Sequence, residues 1–378
     1  MLGKLYEERR VALTQKELNA VLLSHERYLT RLGGGVRACL KHARLDGLNL
    51  ACRNLAEADF SDASLVGANV SGSNLERASL YCADLRNCNL QSARLPRADL
   101  RGASFGGARL AFAVLDGADL RAATMMYVGP GGISVISRDK SKGGPSVDFS
   151  NCSLKSASFG NAKLDGANFS GALLQGATFK GARLTNVVFK GAVLTGVNLK
   201  ELAVPAAALE GCVTDAAPLS PEALDALRGK LDAHQRWIET GGAEGAPATV
   251  DGADLRPLRD LLVGRPLAGL SARNTVAIGL DFSTGQFQAA KFDGADLRDV
   301  DFSGADLRGI CLRDTRLAHA RFDKANLGHL RLANGTLLAP DLTGADAQAD
   351  QFFGAILDNT AAALGLAVPQ REQETVLL

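Results

Sequence analysis

Large apolar residues recur at every fifth position along much of this chain. From Leu40 to Leu120, every fifth residue is Leu, Phe or Val, and a small residue, most often Ala, stands two places before it. A period of five matches neither the 3.6-residue repeat of a helix nor the two-residue repeat of a strand. It matches a chain that turns a corner every five residues, so that four such sides make one coil. We therefore predict an all-β solenoid in which the apolar residue and the Ala point inward.

The five-residue period is interrupted at 126–147 and then resumes in a new phase. From Phe149 to Leu194, Phe and Leu alternate at the central position, and the register weakens toward Thr214. Because a coil has four sides, this alternation places Phe on two opposite sides only. The pattern predicts two separate stacks of rings, made of Phe149, Phe169 and Phe189 and of Phe159 and Phe179.

A third block of repeats runs from Phe282 through Leu342, after a stretch of poor register at 257–279 that is either a distorted first coil or a loop. Residues one full coil apart should be neighbours in successive coils, and several such pairs have opposite charges. The predicted pairs are Asp293 with Arg313, Asp296 with Arg316, and Asp301 with Arg321. The whole chain carries 42 Lys and Arg against 41 Asp and Glu. This balance gives no reason to expect direct binding to nucleic acid or to a membrane surface.

Two segments with helical spacing precede the repeats and resemble each other. Thr14 and Glu17 form a capping box, and Ser220 before Pro221 predicts the start of a second helix. The sequence HERYL at 25–29 aligns with HQRWI at 234–238, and each His has Leu three and seven residues before it. We interpret this as a duplicated module in which a helix covers the open first coil of a solenoid. The predicted cap residues are His25, Tyr28, His234 and Trp237.

The duplication predicts two tandem lobes. The predicted segments are a capping helix at 1–37, a first solenoid at 38–214 interrupted at 126–147, a second helix with a Gly-rich link at 215–249, a second solenoid at 250–357, and a C-terminal tail at 358–378.

Arg53 stands at an inward position that usually holds Ala. A buried, unpaired charge is unfavourable. We expect Arg53 to reach the carbonyl groups at the C-terminal end of the first helix, where a cation is stabilised.

The interruption at 126–147 is the strongest candidate for binding a partner, because loops on rigid scaffolds commonly carry binding residues. Its candidate residues combine apolar and basic side chains: Ile133, Val135, Arg138, Lys140 and Lys142. The alternative is a degenerate coil with a structural role only. No catalytic constellation, cofactor motif or metal-ligand cluster stands out elsewhere, so no cofactor is expected.

The repeat unit resembles the motif A(D/N)LXX of the pentapeptide-repeat protein family. The motif is clear in the sequence ADLRG at 98–102 and in ADL at 118–120 and 295–297. The resemblance implies a right-handed quadrilateral β-helix with short capping α-helices. Known bacterial members include fluoroquinolone-resistance proteins, which mimic DNA and bind type II topoisomerases.

Three functions are considered. The first is a non-catalytic scaffold that binds another protein, with an end-to-end dimer as one possible assembly. The second is a DNA-mimic regulator of a type II topoisomerase, which needs a continuous acidic face that the alternating charges do not offer. The third is an enzyme with a pocket between the lobes near Trp237.

The cysteines and hydropathy bear on the compartment. The seven cysteines are scattered and form no CxxC pair, which is typical of a reducing cytoplasm. No apolar stretch is long enough to cross a membrane, and the first residues do not resemble a signal peptide. We expect a cytoplasmic protein with no membrane partner.

Overall fold

The chain folds into repeated coils that follow helices. The computed structural model describes residues 11–123, 125–129, 132–136 and 146–357, and between 125 and 136 it describes the backbone only. Contacts between residues divide the chain into two compact units, Met1–Asp215 and Ala216–Leu378. The predicted tail at 358–378 lies outside the described residues.

Most residues form turns and single β-bridges, so the named elements are short. The strands are β1 (Val11–Ala12), β2 (Ala43–Arg44), β3 (Met125–Gly129), β4 (Gly132–Ile136), β5 (Asn326–Leu327), β6 (Leu330–Arg331), β7 (Leu337–Leu338) and β8 (Ile356–Leu357). The α-helices are α1 (Gln15–Leu29), α2 (Pro221–Glu239) and α3 (Arg259–Leu262). Four 3₁₀ helices lie at Leu199–Leu202, Ala206–Leu209, Arg256–Leu258 and Ala349–Phe352.

Parallel β-bridges join each coil of the first unit to the next, as between Cys39 and Asp59. The N–H of Leu40 donates to the carbonyl of Asp59 at 2.7 Å, and the N–H of Asp59 donates back to the carbonyl of Ala38 at 3.0 Å. Successive coils are therefore hydrogen-bonded as in a parallel sheet. The predicted solenoid is confirmed.

A tight turn closes each five-residue unit. The N–H of Ala43 donates to the carbonyl of Leu40 at 3.1 Å, and His42 in the turn has a φ of 58°. This left-handed conformation is easiest for Gly and tolerable for Asn. Gly67 and Asn87 occupy the same position in later units, which explains why these residue types recur there.

Buried Phe rings form the two stacks predicted for the first unit. The rings of Phe149 and Phe169 are parallel with centroids 5.0 Å apart, and those of Phe169 and Phe189 follow at 5.4 Å. Phe159 and Phe179 form the second stack at 4.8 Å. Rings of the two stacks meet edge to face, as at 86° between Phe159 and Phe169. This prediction is confirmed.

The coil continues across the first interruption. Arg109 bridges back to Asn89 at the regular spacing but forward to Asp148, so the step in sequence nearly doubles across the interruption. Part of the intervening chain is an antiparallel hairpin in which β3 pairs with β4. The interruption is therefore an insertion that leaves the coil, not a degenerate coil. Val147, predicted as its last residue, is buried in the core and belongs to the resumed coil.

The stretch of poor register at 257–279 is a distorted first coil in the second unit. Thr249 bridges to Ser271, two positions beyond the partner that a regular coil would give it. The additional residues are accommodated by the 3₁₀ helix at Arg256–Leu258 and by α3. From Pro266, which bridges to Gln286, the regular spacing returns.

The third block of repeats was predicted to be continuous, and this is wrong for its last part. Cys311 bridges to Asp341 and the ring of Phe322 stacks on that of Phe352, in each case ten positions beyond the regular partner. Leu332 and Leu337, which the period assigns to the core, are 37% and 61% exposed in and beside the hairpin of β6 and β7. The additional length equals two repeat units, so it leaves the period in the sequence unchanged.

Candidate interaction sites

The cap of the first unit is built around His25. Its imidazole is fully buried, and its Nδ1 accepts a hydrogen bond from the backbone N–H of Ala38 at 3.1 Å. Ala38 is the first inward Ala of the coil, so helix α1 is tied directly to the start of the solenoid. The ring of Tyr28 stacks on the imidazole, with centroids 5.9 Å apart. The capping box at Thr14 and Glu17 begins α1 as predicted.

The second unit repeats this arrangement. His234 is fully buried, and its Nδ1 accepts from the backbone N–H of Ala248 at 3.0 Å. Trp237 stacks on the imidazole with centroids 5.7 Å apart. The structure thus places the four predicted cap residues at two matching sites, each within its own unit.

The hydrogen bonds assign the tautomer of both rings. Because Nδ1 is the acceptor, the proton lies on Nε2. Nε2 of His234 has no hydrogen-bond partner among the described residues. Burial lowers the pKa of both histidines. For His25 the carbonyl of Ala56 and the carboxylates of Glu57 and Glu26 oppose this shift, and Arg37 adds to it.

Arg53 contacts the first helix in a different way from the one predicted. Its side chain is 45% exposed, and its Nη1 lies 3.6 Å from Oε1 of Glu26. The guanidinium therefore pairs with a carboxylate on the helix and not with the carbonyl groups at its end. Turning outward keeps the charge in water, which avoids the desolvation that an inward position would impose.

The predicted partner-binding residues lie in and after the first inserted hairpin. Ile133 and Val135 belong to β4, opposite Val128 and Met126 of β3. Arg138, Lys140 and Lys142 lie outside the described residues. Sheet β3–β4 has two strands, and no third strand pairs with it in the described part of the chain.

Charges one coil apart in the second unit form the predicted ladders. The contacts are Arg313 with Asp293 at 2.6 Å, Arg316 with Asp296 at 3.2 Å, and Arg321 with Asp301 at 3.3 Å. All three predictions are confirmed.

A second charge pattern was missed at the level of sequence: Asp and Arg flank the same inward Leu. Nε and Nη2 of Arg101 donate to the two carboxylate oxygens of Asp99 at 2.8 and 2.7 Å. The same fork closes at Asp84–Arg86, Asp119–Arg121, Asp254–Arg256, Asp296–Arg298 and Asp306–Arg308. Residues two apart on an extended chain share a face, so the recurring triplet Asp-Leu-Arg was the available signal.

These forks neutralise the acidic groups that they hold. The hydrogen bond from Arg121 is the largest influence that lowers the pKa of Asp119. At Asp296 the fork is buried, because the side chain of Arg298 has no exposed surface. Its Nε donates to Asp296 at 2.7 Å and its Nη2 at 2.5 Å, so this charge is paired where it is removed from water.

The described residues offer little other chemistry. No group of three or more His, Cys, Asp or Glu side chains among them could hold a metal ion. Burial raises the pKa of the Cys88 thiol to about 12, and it raises that of Cys152 as well. Within the described ranges, every helix is too short or too polar to cross a bilayer.

Comparison with protein-family models identifies the repeats. The model described as pentapeptide repeats matches 38–80, 54–91, 83–121, 146–171 and 286–317, and a second model with that description matches 159–202. The chain is a pentapeptide-repeat protein. The matched ranges contain the coils on both sides of the first hairpin and part of the second solenoid.

Solved pentapeptide-repeat structures are similar to this chain. HetL, a protein involved in heterocyst differentiation regulation from the cyanobacterium Nostoc, is 19% identical over 88% of this chain and 92% of its own, with a TM-score of 0.22. QnrB1, a plasmid-mediated fluoroquinolone resistance protein, is 22% identical over 48% and 92%, also with a TM-score of 0.22. Rfr23 from the cyanobacterium Cyanothece is 21% identical over 50% and 96%, with a TM-score of 0.16. No curated protein sequence matches the chain.

Proposed function

We propose that this pentapeptide-repeat protein is a non-catalytic scaffold that binds another protein through the hairpin inserted in its first solenoid. The observation that carries the proposal is the bridge from Arg109 to Asp148, which closes the coil without the inserted residues. Because the coil closes without this segment, its residues are available to bind a partner. Rigid scaffolds commonly carry their binding residues on such connections.

The composition and backbone of the insertion suit protein recognition. β3 and β4 are each five residues long and form a two-stranded sheet to which a further strand could add. The sequence that follows supplies Arg138, Lys140 and Lys142. These groups favour an acidic partner surface, because complementary charge steers association.

The surrounding fold belongs to the same proposal. Four bridges in each regular coil favour a coil with four sides, and the right-handed turn and the two tandem lobes are proposed with it. A cytoplasmic location is included, because all seven cysteines are free thiols, as is usual in a reducing compartment.

The charge pattern weighs against the alternative of a DNA mimic. Such a protein needs an unbroken acidic face, whereas Asp99 and Asp119 are each held by an arginine two residues along the chain. A supercoiling assay with a type II topoisomerase checks this directly. We expect no effect at micromolar protein, and inhibition or protection at that concentration would favour the mimic.

The decisive experiment removes the insertion without changing the coil. Deleting 125–143 restores the regular spacing between Arg109 and Asp148, the same spacing that separates Asn89 from Arg109. We expect the deleted protein to keep its circular dichroism spectrum and melting temperature but to lose a partner captured by the full-length chain from its native host.

A charge-matched pair of variants sharpens the test. Arg138, Lys140 and Lys142 are replaced by Ala in one protein, and Arg77, Lys180 and Lys190, which are exposed on the coils, are replaced by Ala in the other. Capture should fall at least about tenfold in the first protein only, a change equal to about 1.4 kcal/mol. Equal loss in both would show that the partner responds to total charge, and full capture by the deletion variant would refute the proposal.

A further inference from the structure

The second inserted hairpin carries apolar side chains that contribute nothing to the core. Segment 330–338 contains four Leu and one Arg. The coil is complete without this segment, because Cys311 bridges directly to Asp341 and the ring of Phe322 stacks on that of Phe352. We propose that the hairpin of β6 and β7 is a docking site for an acidic, leucine-rich segment of a partner protein. This site lies in the second unit and does not depend on the function proposed for the first hairpin.

The hairpin is fixed against the coil by two of its leucines. A Cβ added to Gly309 would lie 3.0 Å from Cβ of Leu330 and from Cδ2 of Leu338, so both side chains pack directly over this glycine. Gly309 has a φ of 66°, where a side chain would also be strained. The absence of a side chain at Gly309 therefore lets the hairpin lie close to the coil.

The turn of the hairpin is itself closed by hydrogen bonds. The N–H of Leu332 donates to the carbonyl of Thr336 at 2.8 Å, and the N–H of Gly335 donates to the carbonyl of Leu332 at 2.9 Å. Oδ1 of Asn334 accepts from the N–H of Thr336 at 3.0 Å. The backbone that carries the exposed side chains is therefore ordered before a partner arrives, which reduces the ordering that binding would require.

The exposed leucines of the hairpin form the apolar part of the site, including Leu338, which packs over Gly309 but is still 37% exposed. Leu337 is 61% exposed and Leu332 is 37% exposed. The second solenoid already has a packed core of leucine and phenylalanine below them. Clusters of exposed apolar side chains on a rigid support are typical of protein-binding surfaces.

The charge beside the leucines selects the class of partner. Arg331 is exposed between Leu330 and Leu332, and no ion pair of its guanidinium occurs within the described residues. By contrast, Arg313 is paired with Asp293 and with Asp341, which follows the hairpin in the sequence. An acidic segment would complement the charge of Arg331. A second copy of the chain does so less well, because a symmetric contact at this site would bring two Arg331 side chains near each other.

The test uses synthetic peptides and the full-length protein. One peptide carries leucines at helical spacing with flanking glutamates, the second has lysine in place of each glutamate, and the third has serine in place of each leucine. Binding is measured by fluorescence anisotropy. We expect the acidic leucine peptide to bind at least about tenfold tighter than either of the others.

Variants locate the binding on the hairpin. L332S together with L337S should weaken binding of the acidic leucine peptide at least about tenfold, and R331E should shift the preference toward the lysine peptide. V188S together with L199S removes exposed apolar side chains from the first unit and should leave binding unchanged. Circular dichroism checks that each variant is folded.

Three results would overturn the proposal. The first is equal affinity for the acidic and basic leucine peptides. The second is an affinity that L332S with L337S does not change. The third is a dimer in sedimentation experiments that this double variant abolishes, because that result would assign the hairpin to a second copy of the chain.

Discussion

Acid should loosen both helix caps, because each depends on a neutral histidine. His25 and His234 accept a backbone N–H on Nδ1, and a protonated imidazole has no lone pair left to accept it. Protonation would also place a charge where the ring has no exposed surface. We therefore predict that lowering the pH below about 6.5 destabilises both units, before most carboxylates become protonated.

The sign and size follow from proton linkage. Burial holds the pKa of both histidines below the ordinary value of 6.5, so the unfolded chain binds the proton first. Their contribution to stability is complete above pH 6.5 and is lost as the pH falls through the folded pKa. Each histidine can lower the free energy of unfolding by at most about 1.4 kcal/mol per pH unit in this window. Carboxylates with lowered pKa, such as Asp119, contribute a separate loss only below about pH 4.

The assay is urea unfolding at several pH values between 7.5 and 4.5. Circular dichroism reports on the solenoids. Trp237 is the only tryptophan of the chain and stacks on His234, so its fluorescence reports on the second cap alone. In His25→Asn and His234→Asn, Oδ1 can still accept the N–H but cannot be protonated in this range. The double variant should lose some packing at pH 7.5 and show a nearly flat stability between 6.5 and 4.5.

One comparison decides whether the reasoning holds. His42→Asn changes a histidine that is 59% exposed, removes its contact with Asp62 and leaves both caps intact. This control should keep the pH dependence of the natural chain. If the variant with both cap histidines replaced lost stability as steeply as the control, the caps would not be the origin of the effect.

Three further predictions concern stability in urea at pH 7.5. Phe169→Ala should lower the free energy of unfolding by about 3–5 kcal/mol, because the ring lies between two stacked neighbours, and Phe169→Leu by clearly less; equal losses would contradict the packing argument. Asp296→Asn should lower it by up to about 3–5 kcal/mol, because it removes the carboxylate to which both Nε and Nη2 of the buried Arg298 donate, whereas Asp99→Asn at an exposed fork should change it by no more than about 1 kcal/mol. Gly102→Ala should lower it by at least about 1–2 kcal/mol, since φ is 68° and the added Cβ would lie 2.9 Å from Sγ of Cys82; an unchanged protein would show that the coil relaxes there.

The repeating part of the fold could be predicted from the sequence because the same five-residue period applies to every repeat unit. A five-residue period specifies which side chains point inward, and a coil of four sides specifies which residues are stacked. These two relations suffice for the Phe149–Phe169 contact and for the Asp293–Arg313 ladder. Both are contacts between residues at equivalent positions, so no further information is needed.

The parts of the fold that could not be predicted from the sequence depend on contacts that the five-residue period does not describe. The insertion before Asp148 shifts the five-residue period by one residue, so it could be recognised in the sequence. The insertion before Asp341 is as long as two repeat units, so it leaves the period unchanged and could not be recognised. Arg53 was placed inward by its position, but its charge turns it toward Glu26. The pairing of β3 with β4 uses backbone groups that no five-residue pattern describes.

The two insertions show that this fold depends on the β-bridges between adjacent coils and not on the number of residues that connect them. Adjacent coils keep the same contacts whether the chain passes directly between them, as from Asn89 to Arg109, or leaves the coil on the way, as from Arg109 to Asp148. The seams next to Ala123 and Ser146 and next to Gly328 and Pro340 should therefore accept unrelated domains whose own termini lie close together. A reporter domain or an enzyme inserted at either seam would project from a known coil. The chain could therefore serve as a scaffold that displays inserted domains at defined positions.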